Sequence, residues 1–269
     1  MLNPKLDAAL VAVSFVALCA ILSGLWPRQA FAAPEEIVVF TDEFEKPGEI
    51  GYELHFNFAA KARRTPDYPG EQPPDRVLRF MPEVVWGLSE QWNLGLHLPV
   101  SRNTYTGATT VDGFKARLQN LNARQVDAVS AFYGVNYELS YFHRRLSESR
   151  LVAEVRGIVG WRRGDWLFAL NPILNHALDA VPGVENRANF DLFGKAMKTV
   201  AHDVAVGIEH FSEFGVLRNP SFGPVSGQTS YAVLEFATRS GFEIQAGVGH
   251  GWTHPVDKRV YKLLIGLPF

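Results

Sequence analysis

From Ile50 onward, apolar and polar residues alternate with a period of two in one run after another. Residues two apart share a face of a strand, so each run predicts a strand with one apolar side. In the first, Ile50, Tyr52, Leu54, Phe56 and Phe58 oppose Gly51, Glu53, His55 and Asn57. In the second, residues 76–86, Leu78, Phe80, Pro82, Val84 and Trp86 oppose Arg79 and Glu83. After a short turn at 87–91, Trp92, Leu94, Leu96, Leu98 and Val100 oppose Asn93, Gly95, His97 and Pro99. A shorter run sets Phe114, Ala116 and Leu118 against Lys115 and Arg117. Further strands are predicted at 133–139, 151–159, 166–172, around Phe190 and Leu192, and at 204–210, 229–236, 242–252 and 260–269.

Counting the short run at 114–118, these make twelve strands; without it there would be eleven. Pro-, Gly- and charge-rich segments at 61–75, 101–113, 173–187 and 211–228 read as long loops. The connections at 87–91 and 161–166 are short, and tryptophans flank both: Trp86 with Trp92, and Trp161 with Trp166. Wide apolar faces, loops alternating long and short, and aromatics beside the turns fit an all-β, transmembrane, antiparallel up-and-down barrel of about twelve strands, an even number as single-chain bacterial barrels have. A soluble β-sandwich would bury the same faces, but it does not call for tryptophan pairs at the turns.

The N-terminal end differs. Residues 8–25 are almost wholly apolar, Lys5 precedes them, and Ala30-Phe31-Ala32 follows as a small-x-small site. That is the layout of a secretory signal peptide over 1–32; an uncleaved anchor is the rival reading. Cleavage after Ala32 leaves 237 of the 269 residues, and loss of Lys5, Arg28 and Asp7 takes the net charge from −2 to −3. Cys19, the chain's one cysteine, leaves with the leader, so the exported chain relies on no disulfide. No basic cluster suggests a nucleic-acid partner. Residues 33–48 read as a short acidic periplasmic lead-in, and 49–269 as the barrel, placed in the outer membrane of a Gram-negative cell and in contact with its lipid.

Two stretches carry family resemblances. The run from Pro82 to Pro99, Pro-Glu-Val-Val-Trp-Gly-Leu-Ser-Glu-Gln-Trp-Asn-Leu-Gly-Leu-His-Leu-Pro, resembles the strand–turn–strand unit of the outer-membrane channel family named for the meta-cleavage pathway of phenol degradation. That resemblance implies a porin-like transport role for small, hydrophobic or aromatic solutes, and it assigns no binding residue. The final strand, with Tyr261, Leu263, Ile265, Leu267 and Phe269 on one face, resembles the C-terminal signature of bacterial outer-membrane barrels. It implies handling by the barrel assembly machinery through Phe269.

The polar faces supply the candidate pore-lining residues: Glu53, His55, Asn57, Arg79, Glu83, Asn93, His97, Glu138, Glu154, Arg156, Asp191, Lys195, Glu209, Glu243, Gln245 and Lys262. Either they pair across the lumen as a polar filling, or they line a wet path and select by charge. Twelve strands enclose less room than a general porin, which favours a narrow or gated pore. As an enzymatic alternative, His210 and Ser212 share a face and resemble the His-x-Ser motif of lipid A deacylases. No carboxylate follows at a suitable spacing on that face, so the expectation is a non-enzyme. A non-conducting structural barrel is the third reading. His250 and His254 read as interface and loop, and His55 and His97, on non-sequential strands, show no metal-ligand set in the sequence. Gly247 to Gly249 lie inside a strand rather than before a helix. No metal or cofactor is expected.

Overall fold

The structure is a computed structural model that describes residues 36–126, 128–179 and 188–267. The expected leader and Phe269 lie outside them. Fourteen strands follow one another: β1 (Ile50–Lys61), β2 (Val77–Ser89), β3 (Trp92–His97), β4 (Val100–Asn103), β5 (Thr109–Val111), β6 (Gly113–Val126), β7 (Val129–Phe142), β8 (Leu151–Arg163), β9 (Trp166–Ala177), β10 (Ala188–Ala201), β11 (Val204–Val216), β12 (Gly227–Ala237), β13 (Glu243–Gly251) and β14 (Arg259–Leu267). Each pairs antiparallel with its neighbours, and β1 pairs with both β2 and β14. Phe56, for instance, stands opposite Phe80 on one side and Leu263 on the other. The barrel wall therefore closes on itself.

β3 with β4, and β5 with β6, are two long staves each interrupted once, so the closed barrel has twelve staves. The first interruption falls at Leu98-Pro99, where proline has no N–H to give the ladder. Pairing resumes beyond it between β2 and β4, from Phe80 opposite Val100 to Val77 opposite Asn103. The Thr-rich stretch expected to be loop from 101 thus adds a hairpin of β4 and β5, as its β-branched residues favour. The short run at 114–118 is the middle of a fourteen-residue strand, β6, paired along its whole length with β7. Likewise 211–216, expected to be loop, continues β11 against β10 as far as Val216 opposite Asn189.

Outward positions are apolar and uncovered: Trp86, Tyr133, Tyr137, Leu139, Val155, Ile208 and Val248 are all exposed. Such a belt suits hydrocarbon and not water. Among the described residues no helix is long and apolar enough to cross a membrane; strands cross it. Trp166 and Trp161 each stack on Phe168 beside the turn between β8 and β9, with centroids 5.7 and 5.3 Å apart. The short turns gather at one end of the barrel and the longer connections at the other.

Val155, central in β8 between Tyr137 and Leu174, tests this orientation. Val155→Arg should cost about 2–4 kcal/mol in equilibrium unfolding from lipid vesicles. An unchanged unfolding midpoint would mean that this face does not meet lipid.

Candidate functional site: an occupied lumen

Residues Glu36 to Glu45 run inside the barrel rather than ahead of it, and Lys46 to Gly48 are exposed at its short-turn mouth. Ile37, Val38, Val39 and Phe40 are all buried, Val39 to 1 % exposure. They form one apolar cluster with lumen-facing residues of β6 through β12 and β14, among them Leu121, Phe132, Ile158, Ile173, Phe193, Met197, Phe211, Tyr231 and Val260. Only a segment threaded through the centre can touch so many staves at once. The acidic periplasmic lead-in expected from the sequence is therefore corrected: its four consecutive apolar residues pack on apolar side chains that line the lumen.

The path of the segment begins at the short-turn end. Gly48 N–H donates to Gly87 O (2.7 Å), and Gly87 N–H donates to Glu49 O (3.0 Å). A Cβ at Gly87 would lie 2.0 Å from the Lys46 carbonyl oxygen, so the crossing requires glycine there. Asn93 then clips the Glu45 backbone, its amide oxygen accepting from Glu45 N (2.8 Å) and its nitrogen donating to Glu45 O (3.1 Å). Arg162 donates to the Asp42 carboxylate through two nitrogens at 2.7 to 3.0 Å. Asn171 repeats the clip at Phe40, accepting from its N–H (2.7 Å) and donating to its carbonyl (3.1 Å). The guanidinium groups of Arg117 and Arg156 lie over the Phe40 ring at 4.8 and 4.6 Å. Arg156 donates to Val38 O (3.3 Å), Lys262 to Ile37 O (3.1 Å), and Lys115 to the Glu36 carboxylate (2.7 Å).

Around this segment the inward charges pair with each other. Glu209, fully buried, holds Lys262 on one oxygen and faces Lys195 at 3.6 Å on the other. Lys195 also reaches Glu235, to which Gln245 donates (2.6 Å). Arg156 pairs with Glu154 (2.8 Å), and Lys115 bridges Glu36 and Glu138 (3.0 Å). Asn175 donates to Asp191 (2.8 Å). Asn57 and Arg79 are buried on β1 and β2, and Glu243 is exposed at the short-turn end. Burial pushes the Glu36 carboxyl up, but Lys115 and the other cations around it hold it well below the usual carboxylate range.

The alternation picked out Asn93, Arg156 and Lys262, which grip the segment, but not Lys115, Arg117, Arg162 or Asn171. Lys115 and Arg117 stood on the polar side of the run judged short. Arg162 stood in the supposed turn at 161–166, and Asn171 sits between Leu170 and Pro172 in an apolar context. His55 and His97 prove to share a neighbour, since β2 lies between their strands and carries Glu83 opposite both Glu53 and His97.

His210 and Ser212 share the outward face but do not bond to one another. His210 Nε2 and Ser212 Oγ both meet Gln228 Oε1, at 2.9 and 2.8 Å, and His210 Nδ1 meets Ser230 Oγ at 2.8 Å. The serine proton is thus given to an amide oxygen, which is no general base. His250 lies edge-on to Trp252, 4.7 Å between centroids.

No family model and no curated protein matches the chain. Among solved structures, it covers all of the COG4313 outer membrane channel from Pseudomonas putida F1 with 87% of its own length, at 12% identity and a TM-score of 0.55. It covers 99% of the KdgM porin with 81% of its length (12% identity, TM-score 0.50). It covers 99% of the NanC porin with 82% (9% identity, TM-score 0.52). The chain has the fold of outer-membrane channels.

Removing Glu209 leaves two buried ammonium groups without their common partner. Glu209→Ala should cost about 3–5 kcal/mol, read as a lower denaturant midpoint, whereas Glu243→Ala at the exposed rim should shift it by less than about 0.5 kcal/mol. Equal effects would contradict the paired filling.

Proposed function

We propose that the chain is an outer-membrane channel held closed by its own N-terminal segment, Glu36 to Lys46, and that the solutes it admits are small and hydrophobic or aromatic. The seating of Ile37 to Phe40 in the lumen carries this reading. Burying those four side chains contributes about 6–12 kcal/mol, at ~1.5–3 kcal/mol each. Ordering the seven residues from Glu36 to Asp42 costs about 7–14 kcal/mol of backbone entropy. The two nearly cancel, so the hydrogen bonds and ion pairs decide the balance, and the segment can leave without unfolding the barrel.

Its departure uncovers the second feature that supports the reading. Phe132, Ile158, Ile173, Phe193, Met197 and Phe211 then form an apolar belt facing the lumen, where general porins present a polar interior. An apolar belt lowers the cost of passage for an apolar solute and offers nothing to a sugar. The likeness of residues 82–99 to the phenol-pathway channels agrees with this solute class. Cleavage after Ala32 would place a free chain end three residues ahead of Glu36, letting the segment withdraw without threading a leader. The enzymatic alternative gains no support from His210 and Ser212, whose hydrogen bonds are taken up by Gln228.

Single-channel recording in planar bilayers tests the proposal. The parent should be silent or show rare small steps, and a chain lacking 36–45 should open at least about tenfold more often, a change of about 1.4 kcal/mol in the closing equilibrium. Gly87→Val, which obstructs the crossing at Lys46, should act in the same direction. Heat-modifiable gel migration establishes that each variant is folded. A parent that conducts as freely as the deletion, or a folded deletion that stays silent, overturns the closure; the second result makes the barrel structural.

A further inference from the structure

We infer that the wall formed by β1, β2 and β3 carries a binding site for a first-row divalent transition metal such as zinc, with Glu53, His55, Glu83 and His97 as ligands. Glu53 and His55 stand two apart on β1 and so share its lumen face. Glu83 stands opposite Glu53, and His97 stands opposite Glu83. Pairing thus delivers two carboxylates and two imidazoles to one spot.

One ligand atom from each of Glu53, His55 and Glu83 falls within 4.8 Å of the others. His55 Nε2 lies 3.4 Å from Glu53 Oε2 and 3.1 Å from Glu83 Oε2, and His97 Nδ1 lies 3.3 Å from the same Glu83 oxygen. Nitrogen and oxygen ligands about 2.0–2.2 Å from a tetrahedral zinc stand roughly 3.3–3.6 Å apart, so Glu53, His55 and Glu83 need move little to take up an ion, and His97, which meets the set at Glu83, turns in to complete it. Arg117 holds the other Glu83 oxygen at 2.5 Å, fixing which oxygen turns to the cluster, as outer-shell partners of metal ligands do.

Two independent observations favour a metal over a simple His–carboxylate pair. A protonated His55 clamped by Glu53 and Glu83 would account for His55 but not for His97. The His97 side chain is fully buried, and neither ring nitrogen has a hydrogen-bond partner among the described residues. Buried polar groups seldom stand so, and a bound ion would satisfy one of the two nitrogens. Charge points the same way. In the ion-paired set around Glu83, Glu53 and Glu83 are two carboxylates beside one permanent cation, Arg117. The excess is one negative charge, which favours uptake of a cation. The donor set, nitrogen and oxygen with no thiolate, suits zinc and its neighbours better than calcium or magnesium. The site does not depend on conduction, and it would stiffen the part of the wall whose ladder is broken at Pro99.

Refolding in the presence of Co²⁺, followed by removal of free ion, tests the site whether or not the barrel conducts. The expected result is one Co²⁺ per folded chain with the intense d–d absorption of tetrahedral coordination, displaced by Zn²⁺ and not by Ca²⁺ or Mg²⁺. His97→Gln and His55→Gln should each weaken Co²⁺ binding by at least about tenfold while keeping heat-modifiable migration. Glu53→Gln, at the more exposed rim, should do the same and serves where a histidine variant fails to fold. A folded parent without the absorption, or an absorption that survives all three substitutions and vanishes with His250→Ala and His254→Ala, overturns the inference.

Discussion

A sheet that crosses a bilayer can leave no backbone group unpaired, because hydrocarbon offers none of the hydrogen bonds that water would. That constraint closes β1 onto both β2 and β14 and points every second side chain inward. The outward half of each strand is solved by apolar residues. The inward half becomes a narrow interior in which charges are costly unless paired, and the chain fills it with charge pairs and with its own N-terminal segment. Glu36 on Lys115, Asp42 on Arg162 and the two asparagine clips at Phe40 and Glu45 are the means by which the stretch from Glu36 to Glu45 is both seated and satisfied.

The seated segment changes what the inward charges do. Lys262 and Arg156 point at carbonyls of the segment as well as at carboxylates of the wall. The same groups therefore stabilise the barrel and hold it closed. The arrangement joins an apolar belt, suited to apolar solutes, with charged groups that bind the backbone of the closing segment. Between the two, Phe40 sits with its ring under two guanidinium groups, so its displacement would free both the belt and the cations together.

The barrel was legible because its physics repeats: a two-residue period in strand after strand, from Tyr52 to Leu267, needs no knowledge of which strand pairs with which. Where polar residues also fall outward the period weakens, as at Asn120 and Asn122 of β6, and the alternation covers only about a third of the strand. The lumen-filling segment was not legible. Ile37-Val38-Val39-Phe40 has no period, and nothing local distinguishes a short apolar run bound for a lumen from one left outside. The meeting of His55 with His97 was hidden for another reason: it depends on register across three strands, which fixes Glu83 between them, and register is a property of the closed sheet rather than of any one run.

Thiol accessibility at residue 39 tests the occupied lumen most directly. The chain's one native cysteine is Cys19, so Cys19→Ser with Val39→Cys gives a single reporter at the most deeply buried position of the segment. In the folded protein this thiol should react with a bulky, membrane-impermeant maleimide at least about a hundredfold more slowly than one placed at Thr106 in the β4–β5 hairpin, and Gly87→Val should narrow the gap. Equal labelling rates at the two positions in the folded parent would show that the segment does not occupy the lumen, and the account of closure would fail with it.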